Sequence, residues 1–178
     1  MARNIEIKAK VKDVERLRAL IEKLPVISRE TFFQEDTFFR ISTGRLKFRR
    51  LGPDRGQLIY YDRADSKGPK ISEYSILETN QPDIVNRSLS KCREILGVVR
   101  KKRDVYIVGQ TRIHVDEVEG LGKFVEFEFV FEEGQDVQEG KKTIAQLMVI
   151  LGIEEDSLLG GAYIDLQLLT NHFEREFL

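Results

Sequence analysis

Hydrophobic and polar residues alternate with period two along most of this chain. In Asn4–Val11, Ile5, Ile7, Ala9 and Val11 share one face, and Asn4, Glu6, Lys8 and Lys10 share the other. Successive side chains of a strand point to opposite faces, so the alternation predicts a half-buried strand. The same reading predicts strands over Phe32–Ile41, Arg45–Leu51, Gln57–Arg63, Ile71–Glu78, Val98–Val108, Thr111–Val118 and Lys123–Phe131. Other stretches change to helical spacing. Asp13 is placed to cap a helix running to Leu24, with Val14, Leu17, Leu20, Ile21 and Leu24 on one stripe and Pro25 ending it. Pro82–Leu96 reads as a second helix closed by Gly97. Val137–Leu151 reads as a third, with Ile144, Leu147, Met148 and Leu151 inward. Glu154–Leu159 predicts a short helical turn, and Tyr163–Leu169 a last short segment.

The strands are consecutive and joined by short turns, such as Gly109-Gln110 and Gly120-Leu121-Gly122, or by helical excursions. That order predicts an α+β fold in which helices pack on the outside of one antiparallel sheet. Eight strands are enough to close such a sheet into a barrel. No repeat, low-complexity tract or linker divides the chain, so residues 1–178 are expected to form one domain, as a monomer or a homodimer.

Composition adds one point. The chain is 41% hydrophobic and 33% charged, and that charged share is more than folding alone requires. Yet the net charge is −1, which gives no support to a nucleic-acid partner, since such binding rests on a basic surplus. A near-zero net charge leaves room for a local basic cavity balanced by acidic residues elsewhere. No apolar run approaches the roughly 20 residues that span a bilayer. With no signal-peptide core at the N-terminus either, the expectation is a cytoplasmic protein with no membrane partner. The single cysteine, Cys92, forbids an internal disulfide and reads as an incidental thiol. Two histidines, His114 and His172, argue against a His-rich zinc site.

The polar faces of the strands sort by sign. Lys8, Lys10, Lys47, Arg49, Lys101 and Arg103 are basic; Glu6, Asp116, Glu126 and Glu128 are acidic. With helices covering the apolar faces, closure of the barrel puts these charges inside, in a wet cavity. Several lysines and arginines converging there suit the oxygens of a polyphosphate. Carboxylates approach phosphate only through a cation, and Mg²⁺ or Mn²⁺ accepts oxygens from both. Glu126 and Glu128, two residues apart on one face, are spaced to share such an ion with Glu6. The opposing reading, a set of solvated strand faces, accounts for any one strand but poorly for four of them. His114 reads as a barrel-wall or hydrogen-bonding residue rather than a catalyst.

At these residues the chain resembles the CYTH superfamily, the group containing class IV adenylyl cyclases, thiamine triphosphatases and inorganic triphosphatases. Asn4-Ile5-Glu6-Ile7-Lys8 is similar to the signature Glu-x-Glu-x-Lys, and Gly44–Arg49 to the basic strand after the first helix. Val99–Arg103 is similar to the second basic strand, His114-Val115-Asp116 with Leu121–Glu128 to the acidic pair of strands, and Tyr163–Leu166 to the terminal segment. The resemblance implies an eight-stranded tunnel and metal-dependent chemistry on a triphosphate. It implies Glu6, Glu126 and Glu128 as metal ligands with Asp116 beside them, and Lys8, Lys47, Arg49, Lys101 and Arg103 as phosphate ligands. Strand parity alone adds Lys10 and Arg112. Arg63 falls near the position of a further phosphate-binding lysine. The catalytic candidates are Glu6, as the group that orients an attacking water, and Lys8. The chain departs from the signature at Asn4, which offers an oxygen but no charge where the first glutamate is expected.

Three functions follow as expectations. The first is a metal-dependent hydrolase of tripolyphosphate or an organic triphosphate. The second is an adenylyl cyclase releasing pyrophosphate from ATP. The third, suggested by Asn4, is a protein that binds polyphosphate or a nucleotide without turning it over.

Overall fold

The computed structural model describes residues 1–176. Eight strands run β1 (Ala2–Lys10), β2 (Ser28–Phe39), β3 (Arg45–Arg50), β4 (Gly56–Arg63), β5 (Lys70–Thr79), β6 (Ile95–Val108), β7 (Thr111–Val118) and β8 (Gly122–Val130). They are interleaved with helices α1 (Val14–Ile21), α2 (Pro82–Cys92), α3 (Val137–Leu151) and α4 (Tyr163–Glu176), and a 3₁₀ turn spans Glu155–Ser157. The strands close into a barrel in the order β1-β5-β4-β3-β2-β6-β7-β8. Every pairing is antiparallel. Closure is made by β1 on β8, where Glu6 stands opposite Glu128 and Lys8 opposite Glu126.

The outer faces explain the alternation. Ile5, Ile7, Ala9, Ile113, Val115, Val125, Phe127 and Phe129 pack under Val14, Leu17 and Ile21 of α1 and Ile144, Leu147 and Leu151 of α3. Burying this apolar area away from water drives closure on that side. Helix α1 starts where Asp13 accepts a hydrogen bond from the Arg16 amide. Helix α3 starts under Asp136 and ends at Gly152, whose φ of 65° is the left-handed conformation that terminates helices. Gly140 lets α3 approach the barrel closely: a Cβ there would lie 2.7 Å from Ile5 Cγ2 and 2.8 Å from Phe131 Cζ. Gly140→Ala is therefore expected to cost about 1–3 kcal/mol through overpacking. The cost should read as a lower denaturant midpoint with an unchanged slope.

A second cluster lies inside the barrel at one end. Inward-facing Phe38, Val99, Val118 and Phe124 pack against Ala162, Tyr163 and Ile164 at the start of α4. Position 97 must be small here, because a Cβ on Gly97 would meet Ile164 Cδ1 at 2.7 Å. The sequence reading gave Gly97 to a helix end. In fact α2 stops at Cys92 and β6 begins at Ile95, since pairing with Phe39 of β2 claims that segment. Strand β2 is likewise displaced from the expected Phe32–Ile41, starting at Ser28 and ending at Phe39. The segment expected at Tyr163–Leu169 is a helix extending to Glu176. Among the described residues no helix is long and apolar enough to cross a membrane.

Candidate functional site

The barrel encloses a cavity of about 500 Å³ lined by the inward positions of all eight strands. It is stratified by chemistry. Nearest α4 lies a basic layer neutralised by two buried aspartates. Asp116, fully buried, is gripped by Arg103 through both oxygens at 2.6 Å and by Lys101 at 3.2 Å, and it accepts the Tyr163 hydroxyl proton at 2.8 Å. Asp36 on β2 takes the Arg49 guanidinium at 2.8 and 2.9 Å and Lys47 Nζ at 3.0 Å. Both carboxyls are held below their ordinary range. Burial opposes ionisation in each, and the neighbouring Arg and Lys charges overcome it, led by Arg103 for Asp116 and Arg49 for Asp36.

Burial also acts on the cations. It pushes Lys47 down to about 7, Arg49 adding repulsion and Asp36 opposing it. Burial and the Arg63 charge bring Lys70 to about 8. Lys101 is lowered by burial and by Arg103. A phosphate selects the protonated form of such a lysine, so ligand binding above pH 7 takes up protons. Triphosphate affinity is therefore expected to fall as pH rises from 7 to 9, with proton uptake visible by calorimetry in buffers of different ionisation enthalpy. Lys47→Arg should reduce that uptake while preserving binding.

The acidic layer sits beside the basic one. Glu126 is bridged by Arg103 at 2.5 Å and by Lys8 at 3.2 Å. Burial resists its ionisation, and the Arg103 and Lys8 charges hold it well below the usual carboxylate range. His114 Nδ1 lies 3.4 Å from Glu126 and 3.7 Å from Glu128. These three residues offer ligand atoms all within 4.8 Å of one another, so they can hold a metal ion. Glu6 is not in that cluster. It pairs with Arg63 at 3.1 Å, and burial, its largest influence, raises its pKa against the Arg63 charge.

Carbonyls of the segment before α4 take up the remaining basic groups. Lys8 donates to Gly161 at 3.3 Å, Arg63 to Gly160 at 2.9 Å, and Lys70 to Leu159 at 3.0 Å. Tyr163 forms part of the lining, its ring 4.0 Å from Lys8 Nζ and 4.8 Å from Lys101 Nζ. Toward the other end apolar Phe32, Leu51, Ile76, Val105 and Ile107 line the cavity among Glu30, Arg55, Gln57 and Arg112.

Most expected residues meet here: Glu6, Lys8, Lys47, Arg49, Arg63, Lys101, Arg103, Glu126 and Glu128 all line the cavity. Arg112 lines it from a half-exposed position, 3.9 Å from Glu128. Two placements are corrected. Lys10 has the right parity but lies exposed beyond the lining, opposite Phe124, where β1 leaves the cavity. Asp116 points inward but is enclosed by Lys101, Arg103 and Tyr163, apart from the cavity lining. In this arrangement its oxygens are taken by those three donors and do not face the cavity. The sequence reading missed Asp36 and Tyr163 of the lining, and Lys70, which is buried just outside it on the Ser66 and Leu159 carbonyls. Asp36 was legible as a charged residue on the inward parity of a Phe-rich strand. Lys70 fell one residue outside its predicted strand.

The CYTH domain family model matches residues 2–163, and the chain belongs to that family. A relative in Methanocaldococcus jannaschii, named "Putative adenylate cyclase", is 28% identical, with 92% of this chain and 97% of the relative covered. The solved PH1012 protein of Pyrococcus horikoshii OT3 superposes with a TM-score of 0.80 at 24% identity, covering 91% of this chain and 98% of that one. The S. pombe Pct1 RNA triphosphatase shares the fold with a TM-score of 0.55 at 12% identity, covering 83% and 85%.

Proposed function

We propose that this protein binds a triphosphate, tripolyphosphate or that of an organic molecule, inside the barrel and hydrolyses it with the help of a divalent metal ion. The observation that carries the reading is the adjacency of two layers. Lys47, Arg49, Lys101 and Arg103 form the basic one, and His114, Glu126 and Glu128 form the metal-competent cluster, with Arg103 and Lys8 bridging from one to the other. A triphosphate in the cavity would meet these cations while Asp36 and Asp116 continue to hold them in place, its oxygens taking further charge-assisted hydrogen bonds. Arg49 and Arg103, already presenting forked donors, are oriented for bidentate contact with phosphoryl oxygens.

The residues present fit a divalent ion. The cluster supplies two carboxylates and an imidazole, and Asn4 Oδ1 is a buried oxygen of the cavity wall with no hydrogen-bond partner. When bound, Mg²⁺ or Mn²⁺ would supply charge neutralisation and polarisation of the phosphoryl group. Glu6 and Lys8 remain the catalytic candidates. Glu6, its pKa raised by burial, would in its ionised form orient or deprotonate a water, and Lys8 would stabilise charge developing on the phosphoryl oxygens.

A second reading is cyclisation of ATP, with loss of pyrophosphate. Two observations favour it: the name carried by the M. jannaschii relative, and the apolar residues Phe32, Leu51, Val105 and Ile107, which offer a surface to a nucleobase. One assay separates the readings. Tripolyphosphate, ATP and thiamine triphosphate are supplied with Mg²⁺ or Mn²⁺, and products are resolved. Metal-dependent orthophosphate release supports hydrolysis, and cyclic AMP with pyrophosphate supports the cyclase. Binding without product from folded protein would sink both and leave a non-catalytic triphosphate receptor.

A further inference from the structure

His114 and Glu126 are direct partners across β7 and β8, so imidazole and carboxylate leave adjacent strands in the same direction. Glu128 follows two residues on, with the same inward direction. The three donor atoms converge within 4.8 Å. His114 is only 5% exposed, so its ring is fixed by the wall and not by solvent. A neutral imidazole keeps one nitrogen lone pair for a ligand.

Asn4 and Gln34 add amide oxygens elsewhere on the same cavity wall. Asn4 is 4% exposed and lines the same cavity, yet its Oδ1 has no hydrogen-bond partner. It stands on β1 opposite Val130, one inward position from the Glu6–Glu128 pair. A buried amide oxygen left unpartnered costs about 1–3 kcal/mol and is seldom tolerated without an occupant.

The donor set is therefore mixed: one imidazole nitrogen and two carboxylates. Mg²⁺ takes oxygen ligands and keeps much of its water, whereas imidazole suits first-row transition ions. We propose that His114 is a nitrogen ligand that sets the metal preference of the barrel, favouring Mn²⁺ and Co²⁺ over Mg²⁺. The inference rests on the proposed function only in requiring that a divalent ion enter the cavity. It adds a residue that determines which ion does so.

The test measures binding, not turnover. Metal-free full-length protein is titrated separately with Mn²⁺, Co²⁺ and Mg²⁺ by calorimetry, for the natural chain, His114→Gln and His114→Leu. The Mn²⁺ form of the natural chain is also examined by pulsed electron paramagnetic resonance for ¹⁴N coupling. The expected result is Mn²⁺ and Co²⁺ affinity at least about tenfold above that of Mg²⁺, with histidine nitrogen coupling. His114→Gln should then lose roughly 10–100-fold in Co²⁺ affinity while Mg²⁺ binding holds. Transition ions that bind without nitrogen coupling, or with the same preference in both variants, would overturn the inference and leave the proposed function standing. If no divalent ion binds even with tripolyphosphate present, the metal dependence of the proposed function falls, and the role of His114 with it. The nitrogen coupling needs no variant, so a His114 substitution that fails to fold does not remove the test.

Discussion

Glu126→Gln is expected to lower metal-dependent turnover by about 10²–10³-fold, the scale typical of losing one preorganised group acting on transition-state charge. Glu126 occupies the junction of the two layers: Lys8 and Arg103 contact its oxygens from one side, and His114 faces it from the other. Glutamine preserves volume but removes the charge that would draw a divalent ion. Its amide NH₂ would also face the Lys8 and Arg103 donors, where two donors cannot satisfy one another. Steady-state rates at saturating metal and triphosphate, with binding measured alongside, provide the check. Some ligand binding should survive, because Lys47, Arg49 and Lys101 are untouched. Full activity in the variant would contradict the assignment of Glu126 to the metal.

The largest stability effect is expected at Arg103. Its guanidinium is 4% exposed and spans two carboxylates, Asp116 through both oxygens and Glu126 through one. Arg103→Met keeps the aliphatic stem and deletes the charge, leaving fully buried Asp116 with only Lys101 and Tyr163. Breaking a buried pair from one side costs about 3–5 kcal/mol, because the remaining charge is uncompensated. For a chain of this size that corresponds to a fall in melting temperature of about 10 °C. Adding Asp116→Asn should recover part of the loss, a non-additivity expected of groups in one network. A single-variant shift within measurement error would show that the pair is not the anchor described above.

The parts of this architecture that were legible in sequence are those where burial is one-sided. Strands β1, β7 and β8 alternate cleanly because their outer faces lie under α1 and α3 while their inner faces carry charge. Parity on these strands and on β6 put Glu6, Lys8, Lys101, Arg103, Glu126 and Glu128 on the inward face, and all six line the cavity. Parity does not report depth along the barrel. Lys10 shares the inward phase of Lys8 but lies past the end of the lining, and Asp116 shares that of His114 but is shut behind Lys101 and Arg103. Gly97 was misread for a different reason: a glycine after an apolar stretch looks like a helix stop, and its actual cause, the approach of Ile164 from α4, is a contact 67 positions away in sequence. His114 gave no spacing signal of its own. Only the register of β7 on β8 brings it opposite Glu126.

The central claim is that the charged interior of the barrel holds a triphosphate. It is tested most directly by titrating tripolyphosphate and ATP, with Mn²⁺ present, into the natural chain and into a Lys47→Ala, Lys101→Ala double variant. Each lysine removed takes away a charge-assisted hydrogen bond, a loss of about tenfold or more apiece in affinity. The account predicts one triphosphate per chain in the natural protein and at least about a hundredfold weaker binding in the folded double variant. Equal affinity in the two proteins would place the ligand outside the barrel and contradict the account.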